Sequence, residues 1–262
     1  MPDVLYEREG TVATVTLNRP ERMNTISQPM LRAFSEALVG AGRDPAVRAI
    51  IVTGAGRAFC AGLDLQDAAS TEGVAKGGFA LGPELELRDF PSIVLHALDK
   101  PVIAAVNGGA AGFGFDLTLG CDIRICASHA KLAAAFTRRG VMPETGGTWI
   151  LPRLIGWSRA AELIFTGRTL SAEEALELGL VSRVVEGSEL LAAARALAEE
   201  IAGCAPLAVQ AAKRMMRSAL TEGFNEHVQR AYLQTLPLLQ TADFREGFTA
   251  FLEKRAPKFT GR

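Results

Sequence analysis

Histidine is scarce in this chain: His96, His129 and His227 are the only three in 262 residues, and none stands in a recognisable Ser or Cys triad motif. Triad-type nucleophilic catalysis is set aside on that ground, and each histidine reads as an ordinary surface or helix residue. Cysteine is nearly as rare. Cys60, Cys121, Cys126 and Cys204 have neither C-x-x-C spacing nor the density of a disulfide scaffold, so no metal site is expected and a reducing compartment fits. An excess of charge is missing as well. The 28 Lys and Arg against 29 Asp and Glu leave a formal net charge of -1, whereas nucleic acid selects a clear basic excess. No apolar run reaches membrane-spanning length, and the first residues, MPDVLYEREG, lack the basic start and apolar core of a signal peptide. The expectation is a cytoplasmic globular protein with no nucleic-acid and no membrane partner. No repeat period or low-complexity linker interrupts it.

What is present suits one large core with a smaller appendage: 262 residues, 48% hydrophobic and 22% charged. Val4 to Glu9 and Thr11 to Leu17 alternate apolar with polar around Gly10 and predict a hairpin. Ser27 is placed to cap a helix over Gln28 to Ala41, with Met30, Leu31, Phe34 and Leu38 as its apolar stripe. Ala49 to Thr53 is a continuous apolar run ending in Gly54-Ala55-Gly56, the pattern of a buried strand. Ala58 to Leu65 then gathers small residues around Gly62, where another molecule can approach the backbone closely. Residues 66 to 80 predict a loop over a site, followed by a helix from about Glu84 to Leu98.

The rest is organised around Lys100 to Asp122, KPVIAAVNGGAAGFGFDLTLGCD. Pro101 to Val106 reads as a strand and Asn107-Gly108-Gly109 as a turn, and from Gly112 the spacing becomes helical through Phe113, Leu117 and Gly120. A helix opening on glycines presents unpaired N–H groups and the positive end of its dipole, so this is a place to hold negative charge. Ile123 to Ala127 and Lys131 to Ala135 read as strands, Gly140 to Gly147 as a loop and Thr148 to Leu154 as a short helix. Past Trp157 the periodicity is helical, with Leu180 to Val185 as the exception. Large apolar residues from Phe224 to Phe251 sit on helices too short to form a core alone, which suits packing against another subunit.

Gly109-x-x-Gly112-x-Gly114 is not a dinucleotide loop, because Leu117 stands where the third glycine belongs and no acidic strand end follows at the required distance. The alternative is that the loops around Gly62 and Gly112 each contribute one backbone N–H to a single oxygen. A preset donor of that kind lowers a barrier by about 3 to 4 kcal/mol, which suits enolate or acyl chemistry. The chemistry then falls to carboxylates and backbone.

AFCAGLDL, KPVIAAVNGGAAGFGFDLTLGCDIRICA, RRGVMPETGGTWILPRLIG and TGRTLSAEEALELGLVSRVV, in that order and over nearly the whole chain, resemble the enoyl-CoA hydratase/isomerase (crotonase) superfamily. The resemblance implies an α/β fold, a spiral of repeated ββα units over residues 1–200, with a helical oligomerisation region over 201–262 that builds homotrimers or dimers of trimers. It implies an acyl-CoA thioester as substrate, coenzyme A entering as part of that substrate, and no separate cofactor or metal. By the same resemblance the oxyanion donors are the N–H groups of Leu63 and Phe113, the Phe113 side chain turning away from the ligand. Ala61, Gly62, Gly109 and Gly112 then line the substrate. Asp64 follows the first donor or caps the next helix. Arg22 lies where relatives approach the adenine and phosphates, and Lys258, with Lys254 or Phe259, can complete that pocket from a neighbouring subunit; solvated charge is the alternative for each.

Hydratases of the superfamily use two glutamates, which correspond here to Asp116 and Phe136, so the second carboxylate is absent. Glu144 instead matches the acid of the superfamily's double-bond isomerases and dehalogenases; otherwise it is a loop carboxylate ahead of a helix. One carboxylate can carry a proton between C2 and C4 of an enoyl thioester while the hole holds the dienolate. Asp116 either orients a water, assists Glu144 or complements the dipole of its own helix. The expected activity is a 3-enoyl to 2-enoyl shift by Glu144. Hydration of a 2-enoyl-CoA by Asp116 and Glu144 is the alternative, and an acyl-CoA-binding assembly protein without turnover is the second.

Overall fold

A computed structural model describes residues 1–64 and 89–262. The loop predicted over 66 to 80, and the start of the helix predicted from Glu84, lie outside the described residues. The chain opens with β1 (Val4–Glu9) and β2 (Val12–Leu17), paired antiparallel as the alternation predicts. Next comes α1 (Gln28–Arg43), capped by Ser27, whose hydroxyl oxygen accepts the Met30 N–H at 3.3 Å, with the predicted stripe buried. From β3 (Ala49–Gly54) a step repeats: a strand, a tight turn and a second, shorter strand. It recurs as β3 with β4 (Ala58–Cys60), as β5 (Val102–Val106) with β6 (Gly109–Ala111), and as β7 (Ile123–Ala127) with β8 (Lys131–Ala133). Helix α2 (Pro91–Ala97) precedes the second step and α3 (Phe113–Gly120) follows it.

Among the described residues the longer strands form a six-stranded sheet, β1-β2-β3-β5-β7-β10, in which β10 is Arg183–Val185. The short ones form a second sheet, β4-β6-β8-β9, in which β9 is Thr169–Ser171. Among the described strands, β1–β2 and β8–β9 are antiparallel and the other pairs parallel. Every residue of β3 and β5 is buried, which is why both read as unbroken apolar runs. The short strands β4, β6 and β9 escape a period-based reading because three residues are too few to carry a pattern. Two predicted strands shorten. Lys131 to Ala135 ends at Ala133, and Leu180 to Val185 starts only at Arg183, because the Leu180 and Val181 N–H groups instead donate to the Ala175 carbonyl.

Successive turns stack through asparagine. The Asn24 amide donates to the Ala55 and Ala58 carbonyls at 2.9 and 2.7 Å, and the Asn107 amide donates to Gly56 O at 2.9 Å while its oxygen accepts the Gly54 N–H. Gly108 is needed for the same stacking, since a Cβ there would lie 2.1 Å from the Arg57 carbonyl oxygen.

The remaining helices are α4 (Gly147–Ile155), α5 (Trp157–Thr166), α6 (Ala172–Glu177), α7 (Leu190–Ala202), α8 (Pro206–Ser218), α9 (Phe224–Leu238) and α10 (Ala242–Leu252). Helix α7 lies against β3, β5 and β7, its buried face made of Leu190, Ala194, Ala198 and Ala202, small enough for close approach. Helix α8 clamps both ends of the Lys100–Asp122 stretch: Lys213 Nζ donates to Lys100 O at 2.8 Å and to Asp122 Oδ2 at 2.6 Å. Asp122 Oδ2 also accepts the first N–H of β5, from Val102, at 2.7 Å. Among the described residues no helix is long and apolar enough to cross a membrane.

Candidate active site

The two glycine loops meet. A Cβ on Gly62, at φ +113, would lie 3.2 Å from Ala111 O, and one on Gly114 would lie 2.0 Å from Cys60 O, so only glycines allow segments 60–63 and 111–114 to pack this closely. The first segment is fixed from behind by a parallel bridge between Ile26 and Leu63, in which Ile26 N–H donates to Gly62 O and Asp64 N–H to Ile26 O. That pairing uses the groups on either side of Leu63 and leaves its own N–H facing away from Ile26. Gly112, at φ +52, turns the chain out of β6 into α3, and Phe113 is the first helical residue, where the N–H has no helical partner. Neither the Leu63 nor the Phe113 N–H donates to another described residue. No described atom lies within 4 Å of a Cβ built on Gly109 or Gly112. The Phe113 ring is buried edge-on against Phe90, centroids 5.8 Å apart.

The carboxylates divide sharply. Asp116 is 2% exposed, and its Oδ2 accepts the Thr145 hydroxyl at 2.6 Å and the Gly147 N–H at 3.2 Å. It lies in the first turn of its own helix α3, and its side chain also meets the N-terminus of α4, whose first N–H donates to it. Its Oδ1 has no partner among the described residues. Burial pushes this carboxyl up to about 7 against the opposing pull of Thr145 and Gly147, with the nearby Glu144 charge adding to the rise. Glu144 is exposed on the loop leading into α4, and partial burial lifts it above the ordinary glutamate range. Phe136, where a second hydratase carboxylate would stand, is a buried apolar side chain.

Residues 7–262 match the sequence model of the family described as enoyl-CoA hydratase/isomerase. The chain belongs to that family. It is 42% identical to a 1,2-epoxyphenylacetyl-CoA isomerase of Escherichia coli (strain K12), covering 100% of both chains, and 40% identical to a carnitinyl-CoA dehydratase of Salmonella typhi, covering 97% of each. Its fold is similar to the crystal structure of an enoyl-CoA hydratase from Bacillus anthracis, with a TM-score of 0.89 and 36% identity over 100% of each chain. The spiral of paired strands is thus the crotonase fold, with a helical C-terminal region, and the chain is an acyl-CoA enzyme of the enoyl-CoA hydratase/isomerase superfamily.

The other candidate residues are placed less uniformly around the enoyl-CoA hydratase/isomerase site. Asp64 is buried against two cations: Arg22 Nη2 reaches both its oxygens at 2.8 and 2.9 Å, and Arg19 Nη2 lies 3.1 Å away. Arg22 thus holds the segment beside Leu63 through Asp64, a role that sequence reasoning missed because the partners are 42 residues apart. The Ala61 N–H donates to Met23 O at 3.0 Å, anchoring the same segment. Lys258 belongs to a C-terminal tail folded onto α10, where its N–H donates to Glu246 at 2.7 Å. Cys60 is buried and its thiol is pushed up to about 12, which disqualifies it as a nucleophile.

Proposed function

We propose that the chain shifts the double bond of an enoyl-CoA from the 3 to the 2 position with Glu144 as the single proton carrier. The observation that carries this reading is the division between the carboxylates: Asp116 is buried and engaged by Thr145 and Gly147, whereas Glu144 is exposed beside it. The thioester oxygen binds the N–H groups of Leu63 and Phe113. Glu144 takes a proton from C2, the electron pair moves into the thioester to give a dienolate, and the hole stabilises the charge on oxygen. The same carboxyl returns the proton at C4, leaving the double bond between C2 and C3. The helix beginning at Phe113 adds its dipole to the same oxygen. Ala61, Gly62, Gly109 and Gly112 supply the close backbone approach around the acyl group, and no cofactor is required. The similarity to an acyl-CoA isomerase supports the reading.

Hydration of a 2-enoyl-CoA is the second reading, favoured by the unpartnered Asp116 Oδ1, which could face a water shared with Glu144. Purified protein given 3-enoyl- and 2-enoyl-CoA separates the two. Isomerisation is expected, and Glu144→Gln should lower it by about 10²- to 10⁴-fold, the usual contribution of a positioned acid–base group. Rapid 3-hydroxyacyl product from the 2-enoyl ester, abolished in Glu144→Gln, would sink the isomerase reading.

Assembly as a trimer or dimer of trimers through residues 201–262 belongs to the same proposal. It is supported by exposed Phe224, Tyr232, Leu233, Phe248, Phe251 and Leu252 on α9 and α10. In such an assembly Lys258 of one copy can reach the coenzyme A held near Arg22 of another.

A further inference from the structure

The loop that presents Glu144 is held from inside the protein. Adjacent residues point opposite ways: Glu144 is exposed, while Thr145 is 5% exposed with its hydroxyl on Asp116. The chain then turns through Gly146, at φ +106, into Gly147, the first residue of α4, whose N–H falls on the same Asp116 oxygen. The fit leaves no slack, since a Cβ on Gly147 would lie 2.3 Å from Asp116 Oδ1. Asp116 itself is carried by α3, the helix whose first N–H belongs to Phe113. The carboxylate therefore ties the loop bearing the proton carrier to the helix bearing one of the oxyanion donors.

We propose that Thr145 is a positioning residue, whose hydroxyl bond to Asp116 sets the direction in which Glu144 meets the substrate. The inference rests on Glu144 being the proton carrier. It assigns Asp116 to the same latch and not to a proton-transfer step of its own. Without the Thr145 hydroxyl the loop loses its 2.6 Å bond to Asp116 and is held there by backbone N–H groups, such as that of Gly147 at 3.2 Å, so that Glu144 meets C2 and C4 less directly. Displacement of about 1 Å at a reacting group costs up to about 10²-fold in rate.

The test is steady-state isomerisation of a 3-enoyl-CoA by the full-length protein carrying Thr145→Val, Thr145→Ser, Asp116→Asn or Glu144→Gln, each checked for folding by circular dichroism. Thr145→Val is expected to lower kcat by about 10- to 100-fold with little change in KM, because the thioester and coenzyme A contacts are untouched. Thr145→Ser, which restores the hydroxyl, should recover most of that loss. Asp116→Asn keeps an acceptor oxygen for Thr145 and Gly147 and should fall less far than Glu144→Gln. A wild-type kcat in Thr145→Val beside an inactive Glu144→Gln overturns the latch alone. Asp116→Asn as inactive as Glu144→Gln overturns it too, by making Asp116 a proton carrier, and decides the matter if Thr145→Val does not fold. Full activity in Glu144→Gln instead removes the Glu144 reading and the latch with it.

Discussion

Burial at Asp116 outweighs two hydrogen bonds and the positive end of a helix, and its carboxyl rises to about 7 from an ordinary 3.8. A raised carboxyl has a definite thermodynamic sign. Between about pH 4 and 7 the folded protein holds a proton on Asp116 that the unfolded chain releases, so stability falls as pH rises through that window. Chemical denaturation of wild type and Asp116→Asn between pH 4 and 8 should show the difference: the wild type loses more stability on the alkaline side, and the variant, with no titrating group there, gives the flatter curve. Glu144 is the charged neighbour that sharpens this, because its own ionisation makes a second negative charge beside Asp116 less favourable. For catalysis the limb runs the other way. Glu144 works as a base only when ionised, so activity should fall on the acid side at a pH above that of an ordinary glutamate, its carboxyl being raised by partial burial. From sequence, Glu144 was legible as the expected carrier and Asp116 as a group of open role, but not their difference in burial, because that depends on what packs over each.

The α3 helix works by being close to β4. Gly114, its second residue, presses on the Cys60 carbonyl, so that even a methyl group would meet backbone at 2.0 Å. Gly114→Ala should therefore push the two oxyanion segments apart, lowering stability by about 1 to 3 kcal/mol, the range for overpacking a tight core. A thermal or denaturant midpoint read beside kcat would check this, with both expected to drop. Strand-turn-helix over Lys100 to Asp122 and the stripe of α1 were legible because each buries a continuous apolar pattern of full length. Strands β4, β6 and β9 were not, since segments of three residues are held by neighbours more than by their own propensity. The asparagines that stack the turns look locally like ordinary turn residues, and only the pitch of the spiral brings Asn107 to Gly56.

The whole molecule divides its apolar surface unevenly. Strands β3 and β5 are buried throughout, whereas α9 and α10 leave Phe224 80% and Phe251 81% exposed, too much aromatic surface on two helices to be idle in water. Replacing Tyr232 and Phe251 with Arg and Asp should move the sedimenting species toward monomer. If these faces meet in an assembly, the solution mass will fall while far-ultraviolet circular dichroism stays unchanged. Wild-type protein that already sediments as a monomer would contradict that arrangement. The clamp of α8 on Lys100 and Asp122 makes the core and the helical region one packed body at that point, since a buried Lys213 without Asp122 would be an uncompensated charge.

The sequence by itself determined the longer strands and helices that bear the site, through their local pattern, and pointed to the family through the resemblance of four co-linear motifs. Only the tertiary structure decided that the Gly62 and Gly112 loops touch, that Arg22 pairs with Asp64, and that the Asp116 side chain meets the N-terminus of α4. The physical reason is distance along the chain: Asp116 and Thr145 are 29 residues apart and Arg22 and Asp64 are 42 apart. Periodicity can say which residues are buried, but it holds no record of which buried residues will meet.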